Sequence, residues 1–267
     1  MKYRWVWVVL GILPLFIATC STVPVTGRQQ FNIIPNSTML SMSFQQYDEF
    51  LQANARSTNK SQSNMVNRVG GKIQRAVEDY FTRNNMSHEL RGYQWEFNLV
   101  KSSEVNAWCM PGGKVVIYEG ILPITKNESG LAVVMGHEIA HAVAEHGNER
   151  MSQSLIAQLG GLALDKALEE KPDKTRQLWM AAFGVGTQIG VLLPYSRLHE
   201  SEADRLGLIF MAMAGYNPNE AVAFWRRMAD HKGGGAPPEF LSTHPSDESR
   251  IRAIQNSLPE AMQYYNE

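Results

Sequence analysis

LAVVMGHEIAH, residues 131–141, joins an apolar run to two histidines that stand four positions apart. An α-helix turns once every 3.6 residues or about 100° per residue, so His137 and His141 leave the same face of a helix through this stretch. Neutral imidazoles at this spacing are good zinc ligands, and Glu138 could take a proton from a water molecule beside the metal. The alternative is an exposed helix with an incidental histidine pair, and the apolar residues before His137 argue against it.

A catalytic zinc ion usually has three protein ligands and one open position, so a third ligand is expected. His146 is the nearest candidate, but on a continuing helix it lies roughly 140° round from His141, which places it on the polar face or in a supporting role. A second candidate lies in SRLHESEADRLG, residues 196–207. There Glu200 and Asp204 share a helix face and could act as a ligand and as the acceptor of a ligand histidine's outer N–H. Spacing alone leaves Glu200 undecided, because the segment also fits an exposed, charged helix.

The two motifs together resemble those of a known family. An HExxH motif followed later in the chain by SRxxExEADxxG is similar to the pattern of the HtpX-like and CaaX-prenyl-protease zinc metallopeptidases. The resemblance implies that Glu200 is the third ligand of one zinc ion per chain, as in gluzincins. It also implies that Asp204 orients a ligand histidine. Within the family, the chain is most similar to the lipid-anchored periplasmic subgroup of BepA-like and LoiP-like proteases.

NAWCMPGG, residues 106–113, extends the resemblance. It looks like the family's NAxxxPGG segment, which forms an edge strand and a turn beside the cleft. Asn106 and Ala107 are therefore expected to hold an extended substrate by strand addition.

LSTHP, residues 241–245, looks like a segment near the C-terminus of periplasmic and mitochondrial family members. The resemblance implies that His244 can approach the zinc and regulate access to it. The alternative is a loop histidine that merely caps the last helix. The reaction also needs a donor to its oxyanion, and either His244 or Arg197 could supply one.

The rest of the chain suits a mostly helical domain. Of its 267 residues, 44% are hydrophobic and 19% charged, and the net charge of −1 argues against a nucleic-acid partner. Strands are predicted at 95–99, 105–110 and 114–118, and helices at 37–55, 66–77, 131–149, 151–169, 175–193, 196–214, 218–231 and 247–258, with a loop at 233–238 and Ser246 as the last cap. We therefore expect an α+β fold: a mostly helical, zincin-like metallopeptidase domain with a small antiparallel sheet packed beside the HExxH helix.

The N-terminus has the pattern of an export signal. Lys2 and Arg4 precede an apolar run from Trp5 to Ala18, and Cys20 follows almost at once. The residues before Cys20 resemble a bacterial lipobox, which implies a lipid on the cysteine, although Thr19 departs from the usual small residue. An ordinary cleaved signal or an uncleaved anchor is the alternative. The expected organisation is a signal peptide over 1–19, a lipid-anchored tether over 20–36, an N-terminal helical arm over 37–62 and a zinc metallopeptidase domain over 63–267.

These features predict a zinc endopeptidase at the periplasmic face of an outer membrane, anchored by its N-terminal lipid. An inner-membrane anchor or a soluble periplasmic form is the alternative location. The expected substrates are misfolded or unassembled envelope polypeptides. A lipid-anchored chaperone or assembly factor with a structural zinc site is the alternative function, and Glu138 argues against it because a structural site needs no base. A peptidoglycan hydrolase is a third class, and nothing in the sequence indicates sugar binding.

The apolar segment 177–193 is expected to be a buried or membrane-facing helix over the cleft rather than a span.

Overall fold

The computed structural model describes residues 20–24, 26–188, 192–231, 239–244 and 248–265. The predicted loop at 233–238 and the predicted cap Ser246 lie outside these residues. In chain order the elements are β1 (Cys20–Thr22), β2 (Gln29–Phe31), α1 (Asn36–Ala53), α2 (Lys60–Arg83), β3 (Glu96–Val100), β4 (Ala107–Met110), β5 (Lys114–Tyr118), α3 (Leu122–Thr125), α4 (Glu128–Val143), α5 (His146–Ala167), α6 (Asp173–Thr187), α7 (Leu193–Met213), α8 (Glu220–Asp230), α9 (Glu239–Thr243) and α10 (Glu248–Tyr265). The predicted fold class, mostly helical with small sheets, is confirmed.

The three-stranded sheet is mixed, with the strand order β3-β5-β4. β4 and β5 are antiparallel, whereas β3 and β5 are parallel, so the prediction of a purely antiparallel sheet is wrong for β3. Gly112 and Gly113, with φ values of 87° and 83° that favour glycine, turn the chain after β4 so that β5 runs antiparallel to it. This turn folds β5 back between β4 and β3, and β3 runs in the same direction as β5.

Helix α4 lies at the centre of the molecule. Asn127 begins it by accepting a hydrogen bond from the Gly130 backbone N–H at 3.0 Å, and every residue from Gly130 to Val143 is buried. The helix packs against α2, β4, α7 and α8. The HExxH motif is therefore inside the core, and the exposed-helix alternative for it is wrong.

The single helix predicted over 131–149 is interrupted in the structure. α4 ends at Val143, and Glu145 has a left-handed φ of 57° before α5 begins at His146. A non-glycine residue in this conformation costs roughly 1–2 kcal/mol, so contacts elsewhere must hold it. The Asn32 side chain donates a hydrogen bond of 2.6 Å to the Glu145 carboxylate. Because of the break, His146 does not continue round the helix but turns back toward His141.

The N-terminal hairpin, which we define as the described residues of 20–31, packs on the body of the protein. β1 and β2 are antiparallel, and Val23 is fully buried in the main hydrophobic core. The segment predicted as a tether is thus folded over most of its length. The predicted boundary between residues 62 and 63 falls within α2, which begins at Lys60.

Helix α6 carries most of the apolar segment predicted over 177–193. None of its residues is buried, and it packs against α5. Leu178 and Trp179 are 70% and 56% exposed, so this helix does not cover the cleft as a buried element. Among the described residues, no helix is both long and apolar enough to span a membrane.

Helices α4 and α7 touch backbone to backbone where they cross. A Cβ atom on Gly136 would lie 2.8 Å from the Gly207 carbonyl oxygen, and one on Gly207 would lie 2.8 Å from the His137 backbone nitrogen. Only glycine at both positions allows this approach, which sets α7 directly against the histidine-bearing turn of α4.

We expect Gly207→Ala to lower the free energy of unfolding by about 1–3 kcal/mol, because the added methyl group forces the two backbones apart. Gly184→Ala on α6 is the matched control. Its Cβ would meet nothing within 4 Å, so it should be neutral or stabilise by up to about 1 kcal/mol. Urea denaturation of both variants measures the difference. Equal stability of the two would contradict the close crossing.

Candidate metal centre

Four buried side chains from three parts of the fold converge on one point: His137, His141, Glu200 and His244. The Nε2 atoms of His137 and His141 are 3.1 Å apart. Glu200, on α7, places one carboxylate oxygen 3.4 Å from His137 Nε2 and the other 3.3 Å from His141 Nε2. His244 follows α9, and its Nδ1 atom lies 3.0 Å from His137 Nε2 and 2.9 Å from a Glu200 oxygen.

These donors fit a divalent metal ion. Four ligand atoms at 2.0–2.1 Å from a tetrahedral zinc ion lie about 3.4 Å from one another, and the separations above are close to that value. Three imidazole nitrogens and a carboxylate oxygen also form a ligand set that zinc accepts. Burial would raise the pKa of Glu200, but the three histidines around its oxygens outweigh it and hold that pKa far below its usual range. The carboxylate is therefore charged and able to bind a cation.

His137 is oriented by a carboxylate on its outer side. Its Nδ1 atom lies 3.0 Å from Asp204 Oδ1, so the neutral ring donates its N–H there and offers the lone pair of Nε2 to a metal ion. Burial lowers the pKa of His137, but the hydrogen bonds to Asp204 and Glu200 outweigh it and raise the pKa to about 9. Burial lowers the pKa of His141 well below its usual range. The cluster thus favours one positive charge. Without a metal ion, a proton on His137 would supply that charge.

Arg250, on α10, is a residue of the site that the sequence analysis missed. Its guanidinium donates two hydrogen bonds of 2.8 Å to Asp204 and approaches Glu200 at 3.2 Å. It also stacks 3.6 Å from the ring centre of Trp225. The arginine balances both carboxylates and fixes their positions. No local sequence pattern predicts the role of Arg250, because the pattern of α10 is that of an amphipathic surface helix.

Glu138 lies beside His244, at the edge of the same cluster. It is buried, and its Oε1 atom has no hydrogen-bond partner among the described residues, with His244 Nε2 at 3.4 Å. Burial raises the pKa of Glu138 above its ordinary value. A buried carboxylate with an unused oxygen and a raised pKa is suited to accept and return a proton.

His141 is supported differently from His137. Its Nδ1 atom lies 2.9 Å from His146 Nδ1, and His146 Nε2 lies 3.0 Å from a Glu202 oxygen. The sequence predicts His146 on a polar face or in a supporting role; it is fully buried, so the polar face is wrong. Burial lowers the pKa of His146 to about 4, which leaves its ring neutral. The break at Glu145 is what brings this residue back to His141.

The remaining predicted residues lie at different distances from the cluster. Ala107 begins β4, one of the two edge strands of its sheet, and Asn106 precedes it. β4 packs against α4, and Cys109 and Tyr93 line a cavity that reaches His141. Arg197 is exposed on α7, and no contact among the described residues links it to the cluster.

Comparison with known proteins agrees with this geometry. Mitochondrial metalloendopeptidase OMA1 of Schizosaccharomyces pombe is 40% identical over 173 residues, which are 63% of this chain and 48% of that protein. The protein of the same name in Saccharomyces cerevisiae is 35% identical over 202 residues, or 73% of this chain and 55% of that protein. The beta-barrel assembly-enhancing protease of Escherichia coli K12 is 31% identical over 173 residues, or 61% of this chain and 34% of that protein. The chain therefore spans about half the length of the yeast relatives and a third of the bacterial one.

The sequence profile of Peptidase family M48 matches residues 67–258. This range includes α4, α7 and most of the described chain. All the residues of the cluster, from His137 to His244, lie within this match. The chain belongs to Peptidase family M48.

Proposed function

We propose that this chain is a zinc-dependent endopeptidase in which His137, His141 and Glu200 hold one zinc ion and Glu138 is the catalytic base. The observation that carries the proposal is the buried convergence of these ligand atoms with the unpaired Glu138 oxygen beside them. The family and the metalloendopeptidase names of the yeast relatives support the same reaction.

Zinc at this position would polarise a scissile carbonyl group and make a water molecule acidic near neutral pH. Glu138 takes the proton of the attacking water and returns it to the leaving amine, and its raised pKa suits both steps. Asp204 and Arg250 keep the ring of His137 and the Glu200 carboxylate in place. The free edge of β4 would hold the peptide in an extended form beside α4.

His244 would regulate access of the substrate to the metal ion. Its Nδ1 atom lies among the other ligand atoms, so it would occupy the position that a catalytic zinc site leaves open. A site with four protein ligands is closed to substrate. We infer that the described arrangement is a resting form and that His244 must withdraw before a peptide binds.

The alternative function, a chaperone or assembly factor with a structural zinc site, would also have four protein ligands. The position of Glu138 favours the enzyme, because a structural site gains nothing from a buried carboxylate that is left without a hydrogen bond.

A pair of variants tests the enzyme directly. Glu138→Gln is nearly isosteric but cannot accept the proton, so we expect casein cleavage to fall by roughly 100-fold or more while zinc content and thermal midpoint stay unchanged. Glu200→Ala removes a ligand and should lose both activity and zinc in elemental analysis of dialysed protein. Cleavage by Glu138→Gln near the native rate would support the structural zinc site.

Whether His244→Ala raises or lowers the rate of peptide cleavage decides the role of His244. If His244 closes the site at rest, His244→Ala should raise cleavage of a small peptide by roughly tenfold when about a tenth of the molecules are open. If it stabilises the oxyanion instead, the same change should lower turnover roughly 100-fold. His88→Ala, which removes an exposed histidine, is the control. If His244→Ala cleaves the peptide at a rate within a factor of two of the native rate, both roles are wrong.

For location and substrates, we propose a lipoprotein at the periplasmic face of an outer membrane that degrades misfolded or unassembled envelope proteins. The apolar leader that ends at Cys20 supports this. So does the similarity to a protease named for enhancing beta-barrel assembly. The yeast relatives are named as mitochondrial, so family membership alone does not select the compartment.

Metabolic labelling with palmitate in a Gram-negative host tests the anchor. We expect Cys20→Ser to abolish labelling and to move the protein out of the outer-membrane fraction. Cys109→Ser, which changes the other cysteine of the chain, should label normally. Labelling that survives Cys20→Ser would overturn the lipid anchor, and the uncleaved or soluble forms would then be tested by N-terminal sequencing.

A further inference from the structure

Polar side chains form a continuous buried path from the N-terminal hairpin to His141. Arg28 donates from Nε to Glu202 Oε2 at 2.9 Å, and Thr26 donates from its hydroxyl to Glu202 Oε1. Glu202 then accepts from His146, which in turn meets His141. The path joins residues that are far apart in sequence, and neither Arg28 nor Thr26 belongs to any motif recognised from the sequence.

The direction of each hydrogen bond along this path follows from the carboxylate. A charged Glu202 only accepts, so the neutral ring of His146 must carry its proton on Nε2 and present Nδ1 as an acceptor. His141 must then donate from Nδ1, which leaves the lone pair of its Nε2 atom pointing at the other ligand atoms. Glu202 thus fixes the tautomer of His141 through His146, as Asp204 does directly for His137.

Arg28 is held between two buried carboxylates. Besides Glu202, it donates through both terminal nitrogens to Glu149, at 3.1 and 2.8 Å. The side chains of Glu149 and Glu202 are 1% and 5% exposed, and that of Arg28 is 17% exposed. Loss of Arg28 would take the guanidinium away from both buried carboxylates, which is costly, although Glu149 would keep His199 at 2.8 Å.

The hairpin that carries Arg28 is fastened to the body between its two strands and just after the second one. Val23 inserts into the main core, and after β2 the Ile33 backbone N–H donates to the Ser152 hydroxyl at 3.0 Å. Asn148 donates to the Ile34 carbonyl at 2.8 Å. Arg28 therefore reaches the path with a fixed backbone, as a positioning residue requires.

We propose that Arg28 is a positioning residue of the metal centre: through Glu202 and His146 it sets the ring of His141, so that zinc is held tightly only while the N-terminal hairpin is docked. This inference rests on the proposed function and deepens it. It makes the segment next to the proposed anchor a part of the site, so that detachment of the hairpin would loosen the metal.

The zinc dissociation constant, measured by competition with a chromophoric chelator, tests the inference. We expect Arg28→Met to bind zinc about 10–100-fold more weakly, the usual cost of removing a group that orients a ligand. Arg28→Lys keeps the charge and should be intermediate. Arg68→Met is the matched control, because Arg68 pairs with Glu128 at the surface, far along the chain from the cluster. It should bind zinc as the native chain does.

A second pair of variants separates positioning from folding, since Arg28→Met could fail to fold. His146→Asn can place an oxygen near the position of Nδ1 and still accept from His141, whereas His146→Leu cannot. We expect a weaker zinc affinity and an altered visible spectrum of the cobalt-substituted protein for His146→Leu, with substantial recovery in His146→Asn.

The outcomes are distinct. If the native chain binds zinc and folded Arg28→Met binds it equally well with the native cobalt spectrum, the inference is overturned and the proposed function stands. If Arg28→Met does not fold, equal zinc affinities and spectra of His146→Leu and the native chain overturn it instead. A native chain that binds no zinc would overturn the proposed function and this inference together.

Discussion

The backbone contact between α4 and α7 is the constraint on which the site depends. Gly136 and Gly207 let the two helices approach until a Cβ atom on either would collide with the other backbone. His137 directly follows the first glycine, and Asp204 lies on α7 one turn before the second. The crossing therefore sets the distance between the histidines of one helix and the carboxylates of the other. A wider crossing would part them while each helix remained intact.

Charge balance is the second constraint. The site concentrates buried acidic side chains within a small volume, namely Glu138, Glu149, Glu200, Glu202 and Asp204. Arg28 and Arg250 are the arginines that pair with them in the described chain. Buried charge is costly without compensation, so this excess of carboxylates calls for a further cation. The pKa of His137 is raised to about 9 by the same surplus of negative charge. A divalent metal ion would neutralise more of this charge than a proton does.

Local features of the sequence predict much of the fold and the centre of the site. The helix positions, the strand positions and the same-face relation of His137 and His141 follow from periodicity, and Glu200 follows from a motif. The break at Glu145 does not, because this left-handed glutamate is held by a hydrogen bond from Asn32, just after the hairpin, rather than by its own preference. The parallel pairing of β3 with β5 does not follow either, because an alternating pattern predicts a strand but not its partner or direction. Arg28 and Arg250 carry no local signal, because their partners lie 174 and 46 residues away in sequence.

The central claim is that one metal ion sits where the histidine and glutamate atoms converge. X-ray diffraction from crystals of the purified chain, recorded just above and just below the zinc absorption edge, locates zinc without any assumption about activity. We expect a single anomalous peak about 2.0–2.2 Å from His137 Nε2, His141 Nε2 and a Glu200 oxygen. A peak elsewhere, or no peak in zinc-supplemented crystals in which these three side chains are ordered, would contradict it.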